Sequence, residues 1–330
     1  MARPIVLATS RSFASHDPRP IQLLEEHGFA VERIVAGETS VEEQVRERLP
    51  HAVGVVAGLE PYPRDLLEQC KDLKVISRYG VGYDKVDVQA ARDLGIAVTI
   101  TPGANEDSVA DLAYALMLSA CRNVAYSDRM LRAGAEKRPM GLEMWRKTIG
   151  VVGTGRIGKG VVRRAKGFEM KVLCYDVYPD EAFAKEQGAE YVSLDQLLEQ
   201  SDFISLHTPL TEGTRNLIGA RELGLMKPTA VLVNTARGGI VDEDALYTAL
   251  KDGVIAAAGL DAMVYEPPVE SPLLTLDNFT ATSHFGATTY DAVHKMSMMA
   301  VENLIDVIEK GQCQHMNCPN LCGQHKKASM

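Results

Sequence analysis

Thr148-Ile149-Gly150-Val151-Val152-Gly153-Thr154-Gly155-Arg156-Ile157-Gly158 is the stretch on which the fold turns. A short apolar strand runs straight into three glycines spaced G-x-G-x-x-G, and a helical pattern opens near Arg156. Gly153 permits the tight turn, Gly155 lets a pyrophosphate approach the backbone, and Gly158 lets helix and strand pack closely. The helix N-terminus adds free N–H groups and a positive dipole end. Three glycines recur by chance in tight turns, so context matters. Asp176 ends the next apolar run, 18 residues after Gly158, where a carboxylate meets the hydroxyls of an adenosine ribose. Val177-Tyr178-Pro179 follow, with no arginine to receive a 2′-phosphate, so NAD is expected in preference to NADP.

Outward from this unit, branched apolar runs at 148–152, 172–175, 203–207, 230–234, 255–260 and 279–282 alternate with helical patterns. Six strands in that order suit a Rossmann NAD-binding domain. Residues 1–101 alternate in the same way, with runs at 5–8, 31–35, 53–57, 75–77 and 97–100 and helix-like stretches at 21–27 and 90–94. The expected class is therefore α/β, two doubly wound parallel-sheet domains, the first flavodoxin-like. Thr101-Pro102-Gly103 breaks the chain before a long apolar-rich helix over 105–122, which marks the crossover. A last helix over 290–309 returns to the first domain. The expected division is 1–102 with 290–330 for substrate, and 103–289 for NAD.

The bulk figures narrow the partners. The 330 residues are 46% hydrophobic and 24% charged, with net charge −9. That balance disfavours nucleic acid, which needs a basic face. No apolar stretch of about 18 residues offers a membrane span, and the first apolar run is too short for a signal-peptide core. Of six cysteines, Cys174 falls in an apolar strand and Cys121 near the end of an apolar helix, unlike a disulfide framework. A cytoplasmic protein is expected. Cys313, His315, Cys318, Cys322 and His325 near the end match no common zinc spacing, and no metal is expected.

Ligands of open α/β sheets bind beyond the carboxyl ends of the strands. There the second domain carries His207-Thr208, Asn234-Thr235-Ala236-Arg237, Asp261 and then Glu266, and Ser283-His284-Phe285-Gly286. Arginine, carboxylate and histidine are what oxidation of an alcohol beside a carboxylate requires. A histidine takes the hydroxyl proton as hydride leaves carbon 2. A carboxylate orients the imidazole, and an arginine forks onto the substrate carboxylate. On pattern alone, His207 and His284 compete for the role of base.

Over about residues 50–311 the chain resembles the D-isomer-specific 2-hydroxyacid dehydrogenases, particularly their phosphoglycerate dehydrogenase-like branch. The likeness rests on Ser77-Arg78-Tyr79-Gly80-Val81-Gly82-Tyr83-Asp84, Gly153–Gly158, His207–Leu210, Asn234–Asp242, Asp261 through Glu266-Pro267-Pro268, and Ser283–Ala287. It implies NAD-dependent hydride transfer on a D-2-hydroxy acid, with His284 as acid/base, Glu266 as its partner and Arg237 as substrate clamp. His207, Thr208, Thr235, Ala236, Asp261 and Gly286 would line the cofactor with Gly153, Gly155, Arg156, Ile157, Gly158 and Asp176. Gly80, Val81 and Gly82 would hold the substrate carboxylate, in a cleft between the domains. A homodimer formed through the cofactor domain, aided by the helix after Asn105, is also implied.

Arg78 resembles a phosphoglycerate dehydrogenase arginine and leads us to expect a substrate with a second anionic group. Such enzymes often carry another arginine after the preceding strand, where this chain has Ala57-Gly58. Ser283 stands where a proline is common, and no regulatory C-terminal domain of the longer phosphoglycerate dehydrogenases is expected. Glyoxylate or hydroxypyruvate reduction is the alternative within the family. A non-enzymatic, nucleotide-sensing corepressor is the alternative outside it.

Overall fold

The computed structural model describes residues 3–34, 37 and 39–311. Cys313, His315, Cys318, Cys322 and His325 therefore lie outside the described residues, as does Val35. The chain forms two compact units, one of residues up to 105 with those from 287 onward, the other of 106–286.

In the first unit β1 (Ile5–Ala8), β2 (Ala30–Arg33), β3 (Gly54–Ala57), β4 (Val75–Arg78) and β5 (Ala97–Thr99) make a parallel sheet ordered β2-β1-β3-β4-β5. This is the flavodoxin-like order. β3, β4 and β5 are buried along their whole length, although β4 ends in Ser77 and Arg78 and β5 in Thr99. The helix Tyr290–Lys310 covers one face, with Ala300, Val301, Leu304 and Ile305 packed on Val6, Ala8, Val56 and Val75. Leu49, Leu66 and Ile76 belong to the core of the opposite face. Two helices escaped the sequence reading, Val41–Arg48 and Arg64–Leu67. The first buries only Gln44 and Val45, so it has almost no apolar stripe. Its start is nevertheless written in the Ser40/Glu43 capping box.

The second unit has seven parallel strands where six were expected. They are β6 (Thr148–Val152), β7 (Lys171–Tyr175), β8 (Ala189–Tyr191), β9 (Phe203–Leu206), β10 (Val231–Asn234), β11 (Ala257–Leu260) and β12 (Phe279–Ala281), in the order β12-β11-β10-β9-β6-β7-β8. The addition, β8, is a three-residue edge strand pairing Ala189 with Val172. Ala-Glu-Tyr is too short to show alternation, so only its neighbour reveals it. The helix Glu106–Cys121 lies within this unit and shares a core with Ile149, Val151, Val161 and Val233.

Candidate active site

The strand order of the second unit sorts the chemistry along one sheet edge. Reading from β12 to β7, the segments beyond the strands carry His284, then Asp261 and Glu266, Arg237, His207, the glycine loop and Asp176. Neighbouring strands lie about 4.8 Å apart. The direction of strand succession reverses between β9 and β6, so His207 and the glycine loop flank the switch point, where such sheets take ligands.

At the loop, Gly153 has φ +90°, and a Cβ on it would meet the His207 backbone at 2.8 Å. A Cβ on Gly158 would stand 1.9 Å from the Gly153 carbonyl oxygen and 3.4 Å from Val151 Cγ1. Close approach to the loop, more than to the strand, is thus what requires glycine at 158. Nothing lies within 4 Å of the Cβ position of Gly155. The helix Arg156–Ala165 begins there without a side-chain cap, leaving its first N–H groups for an anion.

Three buried polar atoms on this edge have no partner among the described residues: His207 Nδ1, Thr208 Oγ1 and Thr235 Oγ1. Buried polar atoms are almost always satisfied, so these orphans, beside a bare helix N-terminus, fit a dinucleotide laid along the strand ends. Asp176 accepts from Thr154 N at 2.6 Å and Thr154 Oγ1 at 3.0 Å through one oxygen, and from Tyr178 N at 2.9 Å through the other. Thr154 and Tyr191, themselves joined at 2.7 Å, were missed as its supports. We expect Asp176→Ala to narrow the NAD-over-NADP ratio of kcat/KM by about tenfold, the scale of a hydrogen bond to a charged group. A parent enzyme equally efficient with both cofactors would contradict the role of Asp176.

His207 is partly exposed as a residue, but its Nδ1 is buried and its Nε2 pairs with Ser205 Oγ at 2.8 Å. Burial pushes its pKa down to about 3. It is therefore neutral across physiological pH, far from the value near 7 that suits a general base. Arg237 leaves β10 through a turn clamped by Asn234, whose Oδ1 accepts from Ala236 N at 2.9 Å and whose Nδ2 donates to Arg237 O at 2.8 Å.

His284 faces Glu266, with Nδ1 2.9 and 3.1 Å from the two carboxylate oxygens. The two side chains are 21% and 29% exposed, so the pair is sheltered yet reachable. With Nδ1 engaged, Nε2 is the nitrogen left for a substrate. His284 has φ 53°, an uncommon left-handed conformation for a side-chain-bearing residue. Asp261 holds it there. Its backbone carbonyl accepts from His284 N at 2.8 Å, and its buried carboxylate accepts from Thr282 Oγ1 at 2.6 Å, Phe285 N at 3.0 Å and Gly286 N at 2.9 Å. Asp261 and Gly286 thus build the turn that presents the histidine.

Glu243, not singled out in the sequence, accepts from Val264 N at 2.7 Å and steadies the segment leading to Glu266. Burial foremost, with Asp244 and Glu266 nearby, raises its pKa. Its only sequence signal is its position after the helix-capping Asp242.

Arg78, Gly80, Val81 and Gly82 belong to the first unit. The strand expected over 75–77 runs one residue further, so that Arg78 is the last residue of β4 and 3% exposed. Its guanidinium donates to Gly58 O and, at 2.9 Å, to Gly82 O.

A model of the D-isomer-specific 2-hydroxyacid dehydrogenase NAD-binding domain matches residues 114–286. The chain is 45% identical over 286 residues to a glyoxylate reductase of Korarchaeum cryptofilum, covering 84% of this chain and 85% of that one. It is 44% identical over 306 residues to a D-3-phosphoglycerate dehydrogenase of Methanocaldococcus jannaschii, covering 91% of this chain and 58% of that protein. Among solved structures, a glyoxylate reductase from Paecilomyes thermophila aligns with TM-score 0.82 and 33% identity, over 95% of this chain and 98% of that one.

Proposed function

The chain belongs to the D-isomer-specific 2-hydroxyacid dehydrogenase family and catalyses NAD-dependent oxidoreduction of a 2-hydroxy acid, and from that premise we propose that His284, Glu266 and Arg237 carry the reaction. NAD(H), held by Gly153–Gly158, Asp176, His207, Thr208, Thr235, Ala236, Asp261 and Gly286, supplies or accepts the hydride. In the reducing direction, His284 Nε2 gives its proton to the carbonyl oxygen of a 2-keto acid as carbon 2 is reduced. In the oxidising direction the same nitrogen takes the hydroxyl proton. Glu266 fixes the ring through Nδ1 and balances the imidazolium. Arg237 forks onto the substrate carboxylate and polarises the keto oxygen. Gly80, Val81 and Gly82 offer backbone N–H groups to the same carboxylate. On this reading residues 1–102 with the final helix bind substrate, and 103–289 bind NAD.

The observation that carries this is the His284–Glu266 pair, on the same sheet edge as the glycine loop. Purified protein should oxidise NADH when given small 2-keto acids and yield the D-hydroxy acid. Absence of turnover across glyoxylate, hydroxypyruvate and their homologues would overturn it in favour of a nucleotide-sensing role.

We place the enzyme in the cytosol. Among the described residues, the three cysteines, Cys70, Cys121 and Cys174, are buried free thiols, and no helix is long and apolar enough to cross a membrane. We also propose a homodimer, covered chiefly at the helix Val124–Arg132. That helix buries none of its residues in the protomer and leaves Val124 55% and Leu131 69% exposed, with Met140 and Trp145 exposed just beyond it. The family resemblance gives the helix after Asn105 a part in it as well, through the half of its residues that its own core leaves uncovered. Leu131→Glu is expected to convert the dimer to monomer in sedimentation, because it sets a charge into an apolar interface. A parent protein that sediments as a monomer would refute the dimer.

A further inference from the structure

The place after β3 where a phosphate-gripping arginine was looked for is held by a carboxylate. Beyond Ala57-Gly58 the chain turns, and Glu60 folds back so that Oε1 receives three donors. These are the Thr9 hydroxyl, the Tyr62 hydroxyl and, at 3.0 Å, Gly58 N–H. Gly58 N–H also donates to Thr9 Oγ1 at 2.7 Å. A Cβ at Gly58 would stand 2.8 Å from Glu60 Oε2, so glycine there admits the carboxylate. Oε2 itself receives no donor among the described residues.

Gly58 serves two opposite charges. Its carbonyl accepts from Arg78 and its N–H donates to Glu60. Arg78 reaches on to Gly82 O at 2.9 Å. One continuous chain of hydrogen bonds therefore runs from the Gly80-Val81-Gly82 loop through Arg78 and Gly58 to Glu60, Thr9 and Tyr62. The Tyr62 hydroxyl reports both charges. Its pKa is raised well above the ordinary value, chiefly by burial and then by Glu60, while Arg78 opposes the rise. A buried guanidinium spent on carbonyl oxygens and opposed by a carboxylate is not a grip for a phosphate.

We propose that Glu60 is a specificity-determining residue that turns away 2-keto acids with a second anionic group and favours a small monoanionic acid whose far end can donate a hydrogen bond. This rests on the reading above, in which Gly80–Gly82 hold the substrate carboxylate. Arg78 and Gly58 tie that loop to Glu60, and on this proposal the far end of an acid docked there meets the Glu60 carboxylate. A second anion would meet like charge on Oε2, whereas a hydroxyl would donate to it. Discrimination by repulsion of the wrong ligand is a common way to sharpen a site. The expected substrate is thus a hydroxypyruvate-like acid, not a phosphorylated or dicarboxylic one.

The test compares kcat/KM with NADH for two matched pairs, hydroxypyruvate against 3-phosphohydroxypyruvate and 2-oxobutyrate against oxaloacetate. The parent enzyme should favour the monoanion in each pair by about tenfold or more, the effect of roughly 1.4 kcal/mol. Glu60→Gln, which keeps the shape and removes the charge, should close most of that gap. Glu60→Asp, which keeps the charge, should not. NADH binding followed by fluorescence checks that each variant is folded. A parent enzyme that prefers the dianions overturns the proposal even if Glu60→Gln fails to fold, and so do equal ratios in parent and Glu60→Gln. Turnover of the acids with unaltered ratios sinks the role of Glu60 alone. Turnover of none of them removes the catalytic reading and this inference with it.

Discussion

Replacing His284 with alanine is expected to lower turnover by about 10²–10⁴-fold, the range for losing a general acid–base group, and to leave NADH affinity nearly intact. The separation follows from position. His284 stands beyond β12, whereas the glycine loop and Asp176 stand beyond β6 and β7, on the far side of β11, β10 and β9. His207→Ala should behave differently, disturbing cofactor binding more than the pH-dependent step, because that imidazole is held neutral by burial. Steady-state rates and NADH titrations of both variants check the assignment. If His207→Ala stops turnover and His284→Ala is mild, the two roles are reversed.

Gly158→Ala is expected to be the most damaging single-methyl change in the nucleotide loop. Its Cβ would sit 1.9 Å from the Gly153 carbonyl oxygen, and the obstacle is backbone that cannot swing aside. Either the helix Arg156–Ala165 slides away from the strand or the loop opens, and both move the N–H groups that would face the pyrophosphate. Overpacking of this kind costs about 1–3 kcal/mol of stability. Misplacing several phosphate donors together should weaken NADH binding by about a hundredfold, the equivalent of roughly 2.8 kcal/mol. Gly155→Ala meets nothing within 4 Å in the protein, so it should spare stability and act only through the bound pyrophosphate. Thermal unfolding without cofactor therefore separates the two glycines. Equal melting temperatures for both variants would show that the Gly153–Gly158 approach is not needed for folding.

Much of this protein was written locally. The central strands of both sheets are buried on two faces, so most of them appear as largely apolar runs between helical stretches. The glycine loop needs only six residues and its acidic partner one more. Turn chemistry and period act within a few residues, and a single chain displays them directly. By itself the sequence therefore determined the α/β class, the flavodoxin-like and Rossmann sheets, NAD, and the family.

What the tertiary structure alone decided involves partners far apart in the chain. Thr9 and Glu60 are 51 residues apart, and Arg78 reaches Gly58 across 20. No periodicity marks such pairs, so neither the partners of Arg78 nor Glu60 itself carries a signal in the sequence. β8 became a strand only because β7 lies beside it. The resemblance already points to His284 over His207, and burial adds a physical ground that no motif carries. One imidazole is covered and neutral, while the other stands in a left-handed turn built by Asp261 and faces Glu266. Burial and long-range pairing depend on which elements the folded chain brings together, and that is set by packing, not by any local run of residues.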